Sequence, residues 1–280
     1  MKIIKSENEL INYCRKLNIT TSFVPTMGSL HEGHVKLFEK AKQYGNFLIT
    51  SLFVNPLQFN SPTDLSSYPK NLENDISIFE QNNVDLLYIP NEKEIINSNI
   101  KNIDSGHHGK ILEGKFRPGH FNGVLTIVNK FFELIKPNYA LFGIKDIQQL
   151  CLIFSKLSPL HDIKIIPVDT VRDVNGLALS SRNNLLTTSQ KQIASFIFKG
   201  LNCIDQELKE NESVNILNFL TDFYNKIELI DVEYILCEEL SVFNEKGINV
   251  NDLFGRKDSK AIMVAANIGG VRLIDNLIIN

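Results

Sequence analysis

Residues 25–34 read Pro25-Thr26-Met27-Gly28-Ser29-Leu30-His31-Glu32-Gly33-His34, and they lie between two stretches of different periodicity. The apolar pair Phe23-Val24 comes before them. Apolar residues at helical spacing follow them, namely Val35, Leu37, Phe38 and Ala41. This pattern predicts a strand that ends at Pro25 and a helix that begins near Gly33 or His34. Gly28 allows a positive φ, or a close approach to a ligand that a Cβ would prevent.

The loop between this strand and this helix has the chemistry of a polyphosphate site. The first turn of a helix exposes N–H groups and the positive end of the helix dipole, which favour a bound phosphate. His31 and His34 are three residues apart, so they lie on one face of that turn. They are candidates to hold, and to protonate, a polyphosphate. Two alternatives stay open, because paired histidines also bind zinc and because one histidine could simply cap the turn.

Length and composition fit an ordinary soluble globular protein with room for two domains. The chain has 280 residues, of which 43% are hydrophobic and 22% are charged. The formal net charge of −3, from 29 basic and 32 acidic residues, leaves no basic surplus for a nucleic-acid backbone. No apolar run reaches the ~20 residues that span a bilayer, and the N-terminus lacks the apolar core of a signal peptide. We therefore expect a cytoplasmic protein without nucleic acid or a membrane as partner.

The cysteines support the same compartment. They are far apart and form no C-x-x-C pair, and each falls within an apolar pattern. We expect buried, reduced thiols at Cys14, Cys151, Cys203 and Cys237.

Strand and helix patterns alternate through the first part of the chain. The motif Ser6-Glu7-Asn8-Glu9 predicts a capping box for the first helix. Residues 91–110 are polar, so we predict a mobile surface loop in which His107 and His108 are solvated. The alternation predicts a parallel sheet covered on both faces. The other strands are predicted at 47–54, 84–89, 139–142 and 164–169, and the helices at 34–44, 72–79, 121–135 and about 150–157.

The alternation of strand and helix patterns ends after Asn183. Two helices are predicted at 189–209 and 214–227, followed by strands at 232–237, 261–266 and 271–274. Gly269-Gly270 reads as a tight turn between the last two strands. The fold class is therefore α/β, with a Rossmann-like parallel sheet domain at 1–170 and a smaller α+β C-terminal lid domain at 171–280.

Four loops carry most of the chemistry, and they follow strands or the last strand of the first domain. They are Thr26–His34, Asn55–Gln58, Gly143–Gln149 and Leu179–Asn183. Ligands of an open parallel sheet bind outside the carboxyl ends of its strands. We therefore expect the four loops to meet at one edge of the sheet.

Each of the three later loops has a functional and a structural interpretation. Asn55 and Gln58 could bind a hydroxy acid through neutral amides, or form only an Asn-Pro turn. Lys145 could neutralise phosphate and Asp146 could hold Mg²⁺ or a sugar hydroxyl, or Asp146 could cap a helix. Gln148 and Gln149 open that helix, and only one of them can face the site. The run Ser180-Ser181-Arg182 suits a triphosphate, but it could also be a polar turn at a domain junction.

These stretches, in this order, resemble the pantothenate synthetase (pantoate–β-alanine ligase) family over nearly the whole chain. The resemblance implies that pantoate attacks the α-phosphorus of ATP to give pantoyl adenylate and pyrophosphate. The amine of β-alanine then attacks the activated carbonyl and releases pantothenate and AMP. The matching stretches are Pro25–His34, Phe53–Phe59, Tyr68-Pro69, Leu112–Gly114, Arg117–Phe121, Gly143–Gln149, Asp173–Asn183 and Arg272–Asn276.

The resemblance also implies roles for individual residues. His34 matches the proton donor, while Gln58 and Gln149 match the amides that hold pantoate, with Asn55 beside them. The implied catalytic set is His31, His34, Lys145, Ser180, Ser181 and Arg182. The implied ATP contacts are Met27, Gly28, Ser29, Leu30, His31, Glu32, Gly33, His34, Gly143, Ile144, Lys145, Asp146, Val171, Leu179, Ser180, Ser181 and Arg182. Further implications are Mg²⁺ bound mainly through phosphates, without a metal site built by the protein, and a homodimer.

Three positions depart from the family's pattern. Ile144 stands where Glu is usual, Ile147 where an aromatic residue is common, and Lys70 where Arg is common. The first departure removes one polar group near the nucleotide. Two other functions therefore stay open, a nucleotidyltransferase with a stable nucleotidyl product and a protein that binds ATP without turnover.

Overall fold

The computed structural model describes residues 1–97 and 99–279, so Ser98 in the predicted loop 91–110 and Asn280 in the predicted lid lie outside the described residues. The strands are β1 Lys2–Ile4, β2 Thr21–Thr26, β3 Phe47–Leu52, β4 Leu86–Tyr88, β5 Tyr139–Gly143, β6 Lys164–Val168, β7 Asp231–Glu239, β8 Lys260–Ile268 and β9 Val271–Ile279. The helices are α1 Glu7–Cys14, α2 Glu32–Ala41, α3 Pro62–Ser67, α4 Leu72–Gln81, α5 Glu92–Ile95, α6 Glu113–Phe116, α7 His120–Ile135, α8 Ile147–Leu157, α9 Thr188–Ala194, α10 Phe196–Glu210, α11 Ile216–Tyr224 and α12 Asn251–Phe254.

The first sheet is parallel and has the strand order β1-β4-β3-β2-β5-β6. Its central strands are buried on both faces, because alternate residues enter two different apolar clusters. Phe23 and Ile49 pack in the cluster that contains α7 and α8. Val24 and Leu48 pack in the cluster that contains Phe38 of α2. The predicted α/β sheet with helices on both faces is confirmed.

The strand order reverses beside β2. The strands β3 and β4 lie on one side of β2, whereas β5 and β6 lie on the other. Such a switch point leaves a crevice at the carboxyl ends of the two strands. The loop 27–31 leaves β2 at this crevice and leads into α2, and the turn 144–146 leaves β5 there.

The N-terminal prediction needs two corrections. The strand β1 was not predicted, because three residues are too few to show a period, and it pairs in parallel with β4. The capping box is wrong, since the Ser6 side chain makes no capping hydrogen bond to α1. The N–H of Glu7 is instead bound by Glu94 Oε1 of α5 at 3.1 Å. A distant carboxylate has taken the place of the local cap.

The predicted surface loop at 91–110 is also wrong in part. It contains α5, and Ile95 and Ile103 are buried in the core. The N–H of Ile103 is bound by Thr126 Oγ1 at 3.0 Å, which ties this segment to α7. His108 is not solvated on all sides, because its Nδ1 lies 3.2 Å from Glu245 Oε1.

Two further differences concern the second half of the chain and the cysteines. The helix predicted at 189–209 is divided into α9 and α10 at Ser195, whose hydroxyl donates to Gln192 O at 2.7 Å. All four cysteines are free, but only Cys151 is buried, whereas Cys14, Cys203 and Cys237 are half-buried.

The second sheet is antiparallel, with the order β7-β8-β9, and Gly269-Gly270 joins β8 to β9 with positive φ at both residues. Side chains on one face of β8, such as Val264, pack with α10 and α11. Those on the other face, such as Met263, join the cluster of α7 and α8. The small sheet is therefore packed between the helices α7 and α8 on one face and the helices α10 and α11 on the other. The predicted domain boundary at residue 170 stays a prediction. In the ranges 1–97 and 99–279, no helix is long and apolar enough to cross a membrane.

Candidate active site

One pocket of about 290 Å³ opens at the carboxyl ends of β2 and β5. His34, Gln58, Lys145 and Arg182 come from four different loops, and all of them line it. The prediction that the four loops meet is therefore confirmed. The other predicted residues in the lining are Met27, His31, Gly33, Asn55, Gly143, Asp146, Gln149, Val171, Leu179, Ser180 and Ser181. The predicted contacts Gly28, Ser29, Leu30, Glu32 and Ile144 are not among the lining residues.

The two histidines cap α2 reciprocally. His31 Nδ1 accepts a hydrogen bond from the N–H of Gly33 at 3.1 Å, and His34 Nδ1 accepts one from the N–H of His31 at 3.2 Å. Their ring centroids are 4.2 Å apart. The capping role that the sequence left open is therefore observed, and both rings take part in it.

Burial sets the charge of the two rings, and the capping sets which nitrogen carries the proton. Burial, followed by the charge of Lys145, lowers the pKa of His31 to about 4. Burial, followed by the neighbouring His31, lowers the pKa of His34 to about 3. Both rings are therefore neutral near pH 7, and because each Nδ1 accepts, each Nε2 carries the proton. The pair presents two neutral N–H donors.

A buried carboxylate holds the loop that leads to the histidines. Asp75 of α4 is 1% exposed, and it accepts hydrogen bonds from the N–H groups of Ser29 and Leu30 at 2.9 and 2.8 Å. Gly28 has φ +84°, and a Cβ there would lie 2.8 Å from Asp75 Oδ2. The expectation of free N–H groups for phosphate is therefore wrong at Ser29 and Leu30. It is also wrong at Gly33, whose N–H the His31 ring binds.

Asn55 orients Gln58 through a completed set of hydrogen bonds. Asn55 is 2% exposed, accepts from the N–H of Leu57 at 3.0 Å and donates to Gly123 O at 3.1 Å. It also donates to Gln58 Oε1 at 2.9 Å, while Gln58 Nε2 lies 2.9 Å from Met27 Sδ. Both side chains line the pocket, and these contacts fix the orientation of the Gln58 amide.

Of the two glutamines that open α8, only Gln149 lines the main pocket. Gln148 is buried, donates to His108 O and Ile111 O, and accepts from the N–H of Glu113 at 2.9 Å. The prediction that only one glutamine faces the site is confirmed.

The loop 143–146, here called the lysine loop, brings a positive charge close to the histidines, because, in addition to burial, Lys145 lowers the pKa of both rings. Lys145 Nζ lies 4.0 Å from Asp146 Oδ2. Asp146 precedes α8 but makes no capping hydrogen bond with its side chain, so the capping alternative is wrong. Its carboxylate is available to the pocket.

The loop 179–182 forms another wall of the pocket. Ser180 Oγ accepts from the N–H of Arg182 at 3.2 Å, and Ser181 Oγ lies 3.2 Å from the hydroxyl of Tyr68. The Arg182 guanidinium pairs with Asp64 of α3 at 3.2 Å. Arg182 is therefore held at the rim by a half-exposed acid.

Several polar residues of the site were not assigned a role from the sequence. His120 donates to the carbonyl of Gln58 at 2.8 Å, and its other nitrogen lies 3.2 Å from Arg117. Glu113 binds Arg272 in bidentate fashion at 2.7 and 2.8 Å, and accepts from the hydroxyl of Tyr234 at 2.6 Å. All of these residues except Tyr234 lie in the stretches that resemble the family, so the resemblance was the signal that could have identified them. Apart from the contact between Arg117 and His120, their partners are distant in sequence, so no local pattern could reveal those contacts.

The zinc alternative for the histidines finds no further ligands. Across residues 1–97 and 99–279, no group of three or more His, Cys, Asp and Glu side chains is placed to hold a metal ion. Moreover, both Nδ1 atoms are occupied by backbone N–H groups.

The sheet, its switch point and the polar pocket there define an α/β protein of the Rossmann-like class. The profile of the pantoate-beta-alanine ligase family matches residues 2–278. The chain belongs to this family of enzymes, and its activity is that of a pantoate–β-alanine ligase, which produces pantothenate.

Individual relatives cover the full length of the chain. A pantothenate synthetase of Azobacteroides pseudotrichonymphae is 40% identical over 293 residues, with 99% of each chain covered. The crystal structure of pantothenate synthetase from Thermus thermophilus has a TM-score of 0.86 at 31% identity, with 99% of each chain covered. A pantoate-beta-alanine ligase from Francisella tularensis, complexed with beta-gamma ATP and beta-alanine, has a TM-score of 0.79 at 36% identity. That match covers 99% of this chain and 97% of the other.

Proposed function

We propose that this chain joins pantoate to β-alanine in two steps within the one pocket. In the first step a pantoate carboxylate oxygen bonds to the α-phosphorus of ATP, and the bond to pyrophosphate breaks. In the second step the β-alanine nitrogen bonds to the acyl carbon, AMP leaves with the electron pair of the acyl C–O bond, and the amine loses a proton. The observation that carries this proposal is the meeting of His34, Gln58, Lys145 and Arg182 around one cavity. The ATP and β-alanine complex of the Francisella relative supports it.

The charged residues act on the triphosphate in the first step. Lys145 and Arg182 neutralise the charge that moves onto the leaving pyrophosphate, and Ser180 and Ser181 add hydroxyl donors. His31 and His34 donate from Nε2 as neutral rings, and these hydrogen bonds strengthen as the phosphate oxygens gain charge. A bound polyanion raises the pKa of His34, so proton transfer follows nucleotide binding rather than preceding it.

The neutral amides select the acid. Gln58 and Gln149 bind the hydroxyl and carboxylate groups of pantoate without adding a buried charge. Asn55 keeps the Gln58 amide in one orientation through the contact at 2.9 Å. Such orientation brings the carboxylate toward the α-phosphorus and supplies much of the rate enhancement in reactions of this kind.

A magnesium ion fits the acidic side of this pocket. Mg²⁺ is usually bound by one or two carboxylates together with substrate phosphates, and Asp146 offers a carboxylate that no helix cap consumes. When bound, the ion supplies further positive charge to the phosphates. We also propose a homodimer and a cytoplasmic location, which sedimentation analysis and cell fractionation test.

A coupled assay with ATP, Mg²⁺, pantoate and β-alanine, omitting one component at a time, tests the proposed function. We expect pyrophosphate release to require pantoate, and AMP to appear only when β-alanine is added. A nucleotidyltransferase with a stable product would release pyrophosphate without pantothenate. A protein that only binds ATP would release neither product, and either outcome would refute the two-step proposal.

A further inference from the structure

Asn276 of β9 reaches from the second sheet to the lysine loop. Its side chain amide nitrogen donates to the carbonyl oxygens of Ile144 at 3.0 Å and Lys145 at 2.7 Å. Asn276 is 6% exposed, so these bonds are protected from water. One amide nitrogen has two hydrogens, and the two carbonyls account for both of them.

The position of Asn276 is itself fixed by an ion pair that contains a buried carboxylate. Its backbone N–H is bound by Asp275 Oδ1 at 2.8 Å. Asp275 is 4% exposed and pairs in bidentate fashion with Arg172. The Arg172 guanidinium in turn lies 3.5 Å over the ring of Phe198 in α10. A connected set of contacts therefore joins α10, β9 and the lysine loop.

The lysine loop is short, and the contact with Asn276 holds its backbone on the side away from the pocket. Gly143, Lys145 and Asp146 line the pocket, so one side of the loop faces the cavity. The opposite side meets Asn276 at two successive carbonyls. Because the donor binds backbone atoms, the contact does not depend on which side chain stands at position 144.

We propose that Asn276 is a positioning residue that sets where Lys145 presents its ammonium to the nucleotide. Asn276 then takes part in the first step of the reaction without itself lining the pocket. This inference rests on the proposed function for its kinetic test, but its effect on nucleotide affinity can be measured separately.

The test compares Asn276→Asp and Asn276→Ala with the matched control Asn267→Asp. Asn267 is half-buried on the neighbouring strand β8 and lies outside the pocket lining. Aspartate has nearly the shape of asparagine but turns an acceptor toward two carbonyl oxygens. Three quantities are measured: the dissociation constant of ATP by calorimetry, pyrophosphate release in one turnover, and pantothenate formation from supplied pantoyl adenylate and β-alanine. Thermal unfolding gives the folded fraction, to which all rates are normalised.

We expect Asn276→Asp to slow pyrophosphate release by about 10- to 100-fold, the usual effect of a misplaced catalytic group, and to weaken ATP binding. The second half-reaction should stay within about threefold of wild type, because pyrophosphate has already left. Asn276→Ala should show the same split with a smaller loss, and it carries the comparison if Asn276→Asp does not fold. Asn267→Asp should match wild type in all three measurements.

Two results would overturn the inference. One is unchanged ATP affinity and pyrophosphate release in a folded variant. The other is an equal loss in both half-reactions, which indicates a purely structural role. A wild-type chain that binds ATP but forms no pantothenate contradicts only the proposed function, since the effect of Asn276 on ATP affinity is still measured.

Discussion

The carboxylate of Asp75 offers the sharpest test of how the histidine pair is held. It lies in α4, 1% exposed, and binds the N–H groups of Ser29 and Leu30. The substitution Asp75→Asn keeps the shape of the side chain but leaves only one acceptor oxygen. The second N–H then faces an amide NH₂, which cannot accept.

The expected cost follows from these two bonds. A hydrogen bond to a charged group contributes about 1.5–3 kcal/mol, and a buried N–H without a partner costs about 1–3 kcal/mol. We therefore expect Asp75→Asn to lower the free energy of unfolding by about 3–5 kcal/mol. The loop that carries His31 shifts as well, so kcat/KM for ATP should fall by about 100-fold.

Urea denaturation and steady-state kinetics measure both effects, with Glu73→Gln as the matched control. Glu73 also lies in the first turn of α4, but it is exposed, so its replacement removes a charge from the same helix end without disturbing the loop. The control should stay within about 0.5 kcal/mol of wild type. A stable, fully active Asp75→Asn protein would refute the argument that this carboxylate holds the loop.

Four further predictions concern the pocket. His34→Ala should slow adenylate formation by about 10²–10⁴-fold while ATP affinity stays within about tenfold, and an unchanged single-turnover rate would contradict the role of the ring. Gln58→Ala should mainly raise the KM for pantoate, so an unaltered KM counts against the assignment. Ile144→Glu should preserve ATP use, because Asn276 binds the backbone carbonyl at this position, and a large loss would show that the loop differs. The last prediction concerns pH. The pKa of His31 is about 4 in the folded chain but about 6.5 when unfolded, so the unfolded chain binds more protons between these values. His31 alone should therefore lower the stability by about 2 kcal/mol from pH 7 to pH 5, and His34, whose pKa is about 3, adds to this loss. The substitution His31→Asn should remove the His31 contribution in urea denaturation.

Much of the site could be predicted from the sequence because its chemistry is local. The run from Pro25 to His34 carries its own strand end, glycine and helix start, so the position of the histidines followed from short-range pattern. Short-range pattern also predicted that only one of Gln148 and Gln149 faces the pocket, because two adjacent residues of a helix cannot both do so, whereas the choice of Gln149 came from the family resemblance. Parallel strands then bring their carboxyl ends to one edge, which is why separate loops meet.

The remaining features depend on contacts between distant parts of the chain. Asp75 lies 46 residues from Ser29, and nothing around it signals a buried carboxylate. The strand β1 forms only because β4 offers a partner. The Ser6 cap failed for the same reason, since Glu94 reaches the helix end from 87 residues away. A local sequence pattern indicates partners that are near in sequence, but it does not show which distant residues the fold brings into contact.

The way β8 packs bears on how far the second part of the chain can move. A lid that opens freely needs a polar, weakly packed surface toward the catalytic sheet. Here Met263 and Ala265 of β8 belong to the apolar cluster of α7 and α8, while Val264 belongs to the cluster of α10 and α11. Separating the small sheet from α7 and α8 would expose these side chains to water. The ion pair of Arg272 with Glu113 would also have to break. Any closure around the nucleotide is therefore expected in the short helix α3 with its flanking residues and in the loop 179–182. These two segments meet through Tyr68, Ser181, Asp64 and Arg182.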